Sequence, residues 1–316
     1  MSYAIQTERL TKHYGDRRVV DSLSLQVLTG SVYGLLGRNG AGKSTLIKML
    51  MGMVRPDAGQ AELLGQNIDN LSNCTRARIA YLAEGHPLYG WMSIDDAARF
   101  TRSFYPRWND KLFSQIIEHF ELSRCQKYRR LSRGQQAQVS LALAVAPEPE
   151  LLILDDPTLG LDTVVRRDFL ESLIQIIQRQ GHTILFSSHI LSDVERVAER
   201  VGVMVNGVLR VDCPTDTFRE QVRKLVLEFS GHPPESPKIP GLVSCRQAGA
   251  GLELVLVGYD DAQREAVEAL DPRSIAVLDL NLEDAFIEYT RGPRRSLPSF
   301  AMENDDAQST RDQGAA

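Results

Sequence analysis

The chain has 316 residues, of which 43% are hydrophobic and 24% charged, and its formal net charge is −5. This is the composition of an ordinary globular protein of about two domains, and it excludes a wholly disordered chain. The mild negative charge gives no reason to expect nucleic acid as a partner, and no apolar run approaches the roughly 18 residues that cross a bilayer. The cysteines are far apart and form no CxxC pair, so we expect neither a disulfide framework nor a zinc site.

Strands and helices alternate in the first 220 residues. Apolar and polar side chains alternate over the first thirty residues, which predicts antiparallel strands, and the continuous apolar run Val32–Leu36 predicts a strand buried on both faces. Further elements are expected as a helix at 44–51, helical segments within 94–146, buried strands at 151–154 and 183–186, an amphipathic segment at 169–177, and a hairpin at 203–211 that turns at Asn206-Gly207. The order of strand, helix and strand predicts a parallel sheet.

The pattern changes near residue 220. Short strands are predicted at 225–229, 242–245, 252–257 and 275–278, with helices near 262–270 and 282–289. From residue 292 onward the sequence is polar and aperiodic, as in disordered tails. We therefore expect a first domain over 1–220, a small α+β domain over 221–291, and a disordered tail over 292–316.

A glycine-rich segment follows the predicted strand Val32–Leu36 and precedes a predicted helix. It reads Gly37-Arg38-Asn39-Gly40-Ala41-Gly42-Lys43-Ser44, which fits the pattern G-x-x-x-x-G-K-[ST]. In such a loop the backbone N–H groups surround phosphates and the helix N-terminus faces the anion. Lys43 would reach the terminal phosphates and Ser44 would ligate Mg²⁺. The sequence therefore predicts a site for a nucleoside triphosphate.

Two carboxylates end the buried strand at 151–154. Ligands of open α/β sheets bind at the carboxyl ends of strands, so Asp155 is expected to hold Mg²⁺ and Asp156 to face the attacking water. A second segment, Ser132-Arg133-Gly134-Gln135, ends twenty residues before Asp155. Taken alone, that segment predicts only the capped start of a helix.

In combination these motifs resemble the ATP-binding subunit of an ABC transporter over about residues 4–215. The segment 132–135 resembles the family signature Leu-Ser-Gly-Gly-Gln, with Arg133 in place of the first glycine. Residues 157–162, which end in Asp162, resemble the D-loop, and His189 at the end of a strand resembles the switch histidine. Tyr14 stands at the position of the aromatic side chain that stacks on adenine.

The resemblance implies a P-loop NTPase fold: a parallel sheet, an antiparallel β subdomain and a helical signature subdomain, here followed by the small α+β domain. It implies ATP and Mg²⁺ as cofactors and Lys43, Asp156 and His189 as the catalytic residues. The implied ATP-binding residues are Tyr14, Gly37, Arg38, Asn39, Gly40, Ala41, Gly42, Lys43, Ser44 and Thr45. Two such domains pair head to tail, and Ser132, Arg133, Gly134 and Gln135 of one chain contact the ATP held by the other.

In this family, ATP closes the dimer and moves attached membrane subunits, and hydrolysis reopens it. The segments 141–144 and 282–289 resemble export-type subunits that work with a separate membrane protein. The resemblance therefore implies a transmembrane permease as partner, a second ATP-binding subunit (the same chain or a companion), and a cytoplasmic location at the inner face of the cell membrane.

Two positions depart from the family pattern. Asp156 stands where the family usually has Glu, and its shorter side chain places the carboxylate about 1 Å or more farther from the water, which predicts slow hydrolysis unless a backbone shift restores the reach. Glu84 stands where the family has the Gln of the Q-loop. We expect Glu84 to contribute to the metal site, although it could instead face the membrane partner.

Two alternative functions remain open on the sequence alone. One is a soluble ABC-type ATPase, for example in iron–sulfur assembly, which the C-terminal domain fits poorly. The other is a regulatory module that binds ATP with little turnover, which Asp156 favours.

Overall fold

A computed structural model describes residues 2–234, 237–249, 251–279 and 286–287. Its strands are β1 Tyr3–Tyr14, β2 Arg17–Leu28, β3 Val32–Leu36, β4 Ala58–Leu63, β5 Gln66–Asn67, β6 Ile79–Leu82, β7 Leu151–Asp155, β8 Thr183–Ser188, β9 Arg200–Val205, β10 Val208–Pro214, β11 Val222–Glu228, β12 Leu242–Ala248, β13 Gly251–Val257 and β14 Ser274–Asp279. Its α-helices are α1 Lys43–Leu50, α2 Asn73–Arg76, α3 Ile94–Arg102, α4 Asp110–His119, α5 Arg133–Val145, α6 Thr163–Gln180, α7 Leu191–Val197, α8 Thr215–Gln221 and α9 Asp261–Glu268. Among these helices, none is long and apolar enough to cross a membrane.

The central sheet has six strands in the order β10-β9-β3-β8-β7-β6. Strands β6, β7, β8, β3 and β9 run parallel, and β10 joins the edge as an antiparallel hairpin partner of β9. Every residue of β3, β7 and β8 is buried, because helices or the second sheet cover both faces. The parallel sheet is therefore confirmed. The register pairs Leu36 with Ser188 and Asp155 with Ser187, which brings the carboxyl ends of β3, β7 and β8 together at one edge.

A second sheet, in the order β2-β1-β4-β5, packs beside α1 and shares an apolar core with it. The predicted antiparallel pairing of β1 with β2 is confirmed. The third element of this sheet, β4, has no counterpart in the sequence-based prediction. Its sequence offers only two buried side chains, Ala61 and Leu63, and it contains Gly59 with a positive φ of 81°. Its partner β1, rather than its own pattern, makes it a strand.

The predicted helical stretch at 94–146 consists of three helices, α3, α4 and α5, which pack around their own core. That core includes Phe113, Ile117, Val139 and Leu143. Helix α5 begins at the signature segment, so the helical layer presents this segment at one of its ends.

From Val222 onward the chain forms a separate antiparallel sheet in the order β12-β13-β11-β14, with α9 packed on it. These elements confirm the four predicted strands and the helix near 262–270. Of the predicted helix at 282–289, only Phe286 and Ile287 belong to the described residues, and they are helical. The predicted tail at 292–316 lies outside the described residues.

Candidate nucleotide-binding site

The loop 37–44 connects the end of β3 to the first turn of α1, as the sequence predicts. Gly40 and Gly42 adopt positive φ values of 80° and 107°. A Cβ atom on Gly42 would stand 2.4 Å from the Val19 carbonyl oxygen, so only glycine fits there. Arg38, Asn39 and Gly40 are exposed, which leaves the outer side of the loop open to a ligand.

Lys43 is buried inside this loop, and its Nζ donates a hydrogen bond to the Gly37 carbonyl oxygen at 2.7 Å. Burial lowers the pKa of Lys43, while the negative charges of Asp156, Asp155 and Glu84 act to raise it. The ammonium group is thus held in a negatively charged surrounding, where a phosphate would add a further anionic partner.

Ser44, Asp155 and Ser187 form one hydrogen-bonded group at the sheet edge. The hydroxyls of Ser44 and Ser187 both donate to Asp155 Oδ1, at 3.1 and 3.0 Å. Burial raises the pKa of Asp155, and the two hydroxyl hydrogen bonds partly oppose this rise. The serine hydroxyl and the carboxylate are hard oxygen donors of the kind that Mg²⁺ prefers, and they therefore fit this ion.

Asp156 is buried beside this group and has a left-handed backbone with φ of 46°. Its N–H donates to Ser187 Oγ at 2.9 Å, and its Oδ2 accepts a hydrogen bond from His189 Nδ1 at 2.8 Å. An ionised carboxylate only accepts, so Nδ1 carries the proton in this pair. Asp156 Oδ1 is buried and has no hydrogen-bond partner among the described residues, which leaves it able to accept a proton or a hydrogen bond from a ligand.

A cleft of about 650 Å³ opens beside the loop. It is lined by Arg17, Arg38, Asn39, Gly40, Ala41, His189, Met204, Val205, Asn206, Phe286 and Ile287. Two guanidinium groups and the exposed loop make this wall suited to an anion. Tyr14 is not among these lining residues: it ends β1, is 52% exposed, and its ring lies 5.8 Å from Lys12 Nζ.

Glu84 follows β6, the strand beside β7, and is exposed. The negative charge of Glu84 acts on Lys43 and is one of the influences that raise the pKa of that lysine. Within the part of the chain that the structure describes, no group of three or more His, Cys, Asp or Glu side chains is arranged to hold a metal. A cation here would therefore share its coordination among Ser44, Asp155, water and phosphate oxygens, as Mg²⁺ commonly does.

The signature segment caps α5. Ser132 Oγ accepts from the Gln135 N–H at 3.2 Å, and Gln135 Oε1 accepts from the Ser132 N–H at 3.0 Å, which forms a capping box. Gly134 is buried against Val165 of α6, where a Cβ would stand 2.5 Å from Val165 Cγ1. Arg133 is exposed, so the signature segment presents an unshielded cation.

The D-loop lies between β7 and α6. Asp162 Oδ1 accepts from the N–H groups of Val164 and Val165, at 3.1 and 3.0 Å, and so caps the start of α6. The Arg133 guanidinium approaches this loop at Gly160, where an added Cβ would stand 3.2 Å from Arg133 Nη1. The signature segment and the D-loop of the same chain are therefore neighbours.

Sequence reasoning assigned no role to Ser187 or Asp193. Ser187 bridges Asp155 and Asp156, and polar residues that end a buried strand were the available signal, the same one that identified Asp155. Asp193 is buried, accepts from Thr158 Oγ1 at 2.8 Å, and lies 3.3 Å from Arg166 Nε. These contacts span 35 and 27 residues of sequence, so no local pattern reports them.

A parallel sheet whose glycine-rich loop, buried lysine and strand-end carboxylates meet at one edge defines a P-loop nucleotide-binding protein. Comparison with known proteins narrows this class: residues 20–159 match the ABC transporter family. The chain is 34% identical over 231 residues to the bacitracin transport ATP-binding protein BcrA of Bacillus licheniformis, covering 72% of this chain and 75% of the relative. It is 33% identical over 298 residues to the Nod factor export ATP-binding protein I of Neorhizobium galegae, covering 91% of this chain and 85% of the relative.

The fold comparison agrees. The dimeric post-hydrolysis structure of the ATP-binding cassette MJ0796, bound to ADP and Pi, matches with a TM-score of 0.59 and 19% identity, covering 66% of this chain and 98% of the other. That match reports the fold of the cassette. The chain belongs to the ABC transporter family, as one of its ATP-binding subunits.

Proposed function

We propose that this chain binds and hydrolyses ATP to power an export-type transporter whose membrane permease is a separate protein. The observation that carries the proposal is the continuous hydrogen-bonded group from Ser44 through Asp155, Ser187 and Asp156 to His189, directly beside the phosphate-binding loop. One relative is named for Nod factor export and another for bacitracin transport, and both names support a transport role.

In this proposal the loop holds the phosphates of ATP through its N–H groups and Lys43. The proposed ATP-binding residues are Tyr14, Gly37, Arg38, Asn39, Gly40, Ala41, Gly42, Lys43, Ser44 and Thr45. Ser44 and Asp155 would hold Mg²⁺, with Glu84 contributing charge from the end of β6. When bound, Mg²⁺ supplies positive charge that offsets the charge of the phosphates.

Asp156 is the proposed general base. Its unpaired Oδ1 would accept the proton of the attacking water, while the ring of His189 holds Oδ2 and faces the cleft that we assign to the nucleotide. The short side chain predicts slow turnover and a long-lived ATP-bound state. The same shortness supports a second candidate, a regulatory module that binds ATP with little hydrolysis.

We further propose that two ATP-binding subunits pair, with the signature segment 132–135 of each facing the ATP of the other. The exposed, uncompensated cation at Arg133 and the neighbouring D-loop residue Asp162 support this face as the pairing surface. The structural relative MJ0796 is described as dimeric, which supports pairing of two subunits. The pair could be two copies of this chain or this chain and a companion.

The permease contact is assigned to an aromatic surface formed by Tyr89, Trp91, Phe100 and Phe104. Trp91 and Phe104 are 63% and 64% exposed, and ring centroids along the set lie 5.1–6.2 Å apart. Exposed clusters of large aromatic side chains mark protein interaction sites. A permease bound here would hold the chain at the inner face of the cell membrane.

We also propose a division into an ATP-binding domain over 1–220 and a C-terminal domain over 221–291. The antiparallel sheet β12-β13-β11-β14, which begins at Val222, supports this division, as does the apolar cluster that this sheet forms with α9.

The ATPase proposal is tested by comparing hydrolysis of Mg-ATP by the purified native chain and by Asp156→Asn. We expect the variant to lose about a hundredfold or more in rate while it binds ATP like the native chain, because the amide cannot accept the proton. Equal rates would exclude Asp156 as the base. A native chain that binds ATP without measurable turnover would favour the regulatory candidate.

The permease proposal is tested by affinity purification of the tagged chain from detergent extracts, with mass spectrometric identification of bound proteins. Native chain should recover a multi-span membrane protein, and the double variant Trp91→Ala/Phe104→Ala should not. Tyr3→Ala, which removes an exposed aromatic side chain elsewhere, is the matched control.

A further inference from the structure

Two loops leave the neighbouring parallel strands β7 and β8 at the edge where the nucleotide site lies. The loop after β7 carries Asp156 and Thr158, and the loop after β8 carries His189. Helix α7 begins at Leu191, directly after the second loop, and Asp193 lies in its first turn. The Asp156–His189 hydrogen bond joins the two loops, and Thr158 and Asp193 make a further contact between the first loop and α7.

The contact between Thr158 and Asp193 is buried. These residues are 1% and 2% exposed, and Thr158 Oγ1 donates a hydrogen bond of 2.8 Å to Asp193 Oδ2. The other carboxylate oxygen, Oδ1, lies 3.3 Å from Nε of Arg166 on α6. Burial raises the pKa of Asp193, and the hydrogen bond from Thr158 and the charge of Arg166 oppose this rise. The carboxylate therefore joins three segments, which are the loop after β7, α6 and α7.

The hydrogen bond between Asp156 and His189 is less protected. The His189 side chain is 28% exposed and lines the cleft, and its Nδ1 donates to Asp156 Oδ2 at 2.8 Å. Asp156 Oδ1 has no hydrogen-bond partner among the described residues. One hydrogen bond to a partly exposed ring does not fix the carboxylate by itself, because water can replace either partner. The position of Asp156 therefore depends on further contacts of its loop.

Two backbone hydrogen bonds link the position of Thr158 to that of Asp156. The Leu159 N–H donates to the Asp156 carbonyl oxygen at 3.1 Å, and the Leu161 N–H donates to the Thr158 carbonyl oxygen at 3.2 Å. The loop after β7 thus consists of two consecutive turns that share residues. A displacement of Thr158 would therefore displace Asp156 as well.

Helix α7 has a fixed position on the central sheet. A Cβ atom on Gly34 of β3 would stand 2.1 Å from Val194 Cγ1 and 3.0 Å from Ala198 Cβ, so the helix and the strand are in direct contact. Val194 directly follows Asp193 in the chain. The carboxylate that accepts the hydrogen bond from Thr158 is therefore carried by a helix that packs closely on the sheet.

We propose that Asp193 is a positioning residue for ATP hydrolysis, which holds Thr158 against α7 and so keeps the Asp156 carboxylate on His189. The inference rests on the proposed function, since it takes Asp156 to be the group that acts on the attacking water. Asp193 is not among the residues that line the cleft, so its effect on hydrolysis passes through other side chains. A displacement of about 1 Å in a catalytic group can cost on the order of a hundredfold in rate.

The test removes the Thr158 hydroxyl in the full chain and measures single-turnover hydrolysis of Mg-ATP, ATP affinity and melting temperature. Thr158→Val keeps the shape of the side chain without the hydroxyl, and Thr158→Ser keeps the hydroxyl. We expect Thr158→Val to lose about tenfold in hydrolysis rate, with ATP affinity within about twofold of native. Thr158→Ser should stay within about threefold of the native rate. A native rate in Thr158→Val would overturn the inference.

Thr183 provides the matched control, because it is a buried threonine at the opposite end of β8. It is 1% exposed, and its Oγ1 accepts a hydrogen bond from the Gly30 N–H at 2.9 Å. Thr183→Val therefore also removes a buried, hydrogen-bonded hydroxyl. It should lower the melting temperature but hydrolyse ATP like the native chain. An equal loss of rate in Thr183→Val would overturn the inference, because lower stability alone would then explain the loss in Thr158→Val.

A double-mutant cycle with His189→Ala separates positioning from packing. If Asp193 acts by keeping Asp156 on His189, the Thr158 hydroxyl loses this role once the ring is absent. Thr158→Val should then cost less than about twofold in rate in the His189→Ala background. An undiminished loss of about tenfold in that background would overturn the inference.

If Thr158→Val does not fold, Arg166→Gln takes its place in the same cycle. The Arg166 side chain makes the other contact of Asp193 and is 27% exposed, so its replacement disturbs the packing less. We expect a loss of about threefold in hydrolysis rate that disappears in the His189→Ala background. No loss of rate, or an equal loss in both backgrounds, would overturn the inference. An unchanged rate in Asp156→Asn would instead overturn the proposed function.

Discussion

The loop 37–44 and the signature segment 132–135 both begin helices, but their polar side chains differ in whether they make contacts within the chain. Lys43 and Ser44 are engaged within the chain, by the Gly37 carbonyl and by Asp155. Arg133 is exposed, and its guanidinium makes no hydrogen bond or ion pair with any residue that the structure describes. The first region is organised before any ligand arrives, whereas the second offers charge that only another molecule can meet.

This difference predicts separate roles for the loop 37–44 and the signature segment 132–135. A loop whose side chains are already held loses little freedom on binding phosphate. An uncompensated cation beside a helix start gains most from an anion brought by a partner. Changes in the loop 37–44 should therefore affect ATP binding and hydrolysis within one chain. Changes in the signature segment should affect the association of two subunits.

The largest effect should follow from Asp155→Asn, which keeps a side chain that can bond to Ser44 and Ser187 but removes the charge. We expect the rate of Mg-ATP hydrolysis to fall by about a hundredfold, since several kcal/mol of electrostatic stabilisation are lost with the carboxylate. ATP affinity measured in EDTA should stay within about threefold of native. If the rate of hydrolysis is unaffected, Asp155 does not hold the cation.

A smaller effect is expected from Arg133→Glu in the signature segment. The reversed charge would face the phosphates of the partner's ATP, and we expect ATP-dependent association to weaken by about tenfold, as measured by sedimentation with increasing protein concentration. The melting temperature without ATP should not change, because the side chain makes no ionic contact in its own chain. Lys111→Glu on α4 carries the same change of charge and should associate normally. Equal weakening in both variants would assign the effect to net charge.

The smallest expected effect is a gain. Asp156→Glu lengthens the proposed base by one methylene, and we expect the hydrolysis rate to rise by about three- to tenfold if the native carboxylate stands too far from the water. ATP affinity serves as the control and should not change. No gain on lengthening would show that the backbone of Asp156, with its φ of 46°, already compensates for the short side chain.

The sequence predicts this fold best where local pattern and burial coincide. Val32–Leu36 is a strand with the predicted ends, because a continuous apolar run there is bounded by turns on both sides. Strand β6 escaped prediction because its four residues are too few to show a period. The fold class and the family resemblance are confirmed, and both depended on the order of several short motifs rather than on any single one.

At the site, residues within motifs were predictable and residues that support them were not. Asp155 stands out because an acidic side chain ends an apolar run in a chain with a phosphate-binding loop. Asp193 contacts Thr158 across a long sequence separation, and a buried polar residue in a short helix leaves no periodic signal. The roles assigned to the motif residues stay predictions that the variants above test.

The central claim is that bound ATP holds two ATP-binding subunits together through the loop of one and the signature segment of the other. Its most direct test is the oligomeric state of Asp156→Asn with Mg-ATP, measured by sedimentation with and without the added change Lys43→Ala. The account predicts an ATP-dependent dimer for the single variant. It predicts a monomer for the double variant, with ATP affinity lower by about a hundredfold, or ~2.7 kcal/mol. Unchanged ATP affinity and unchanged self-association in the double variant would contradict it.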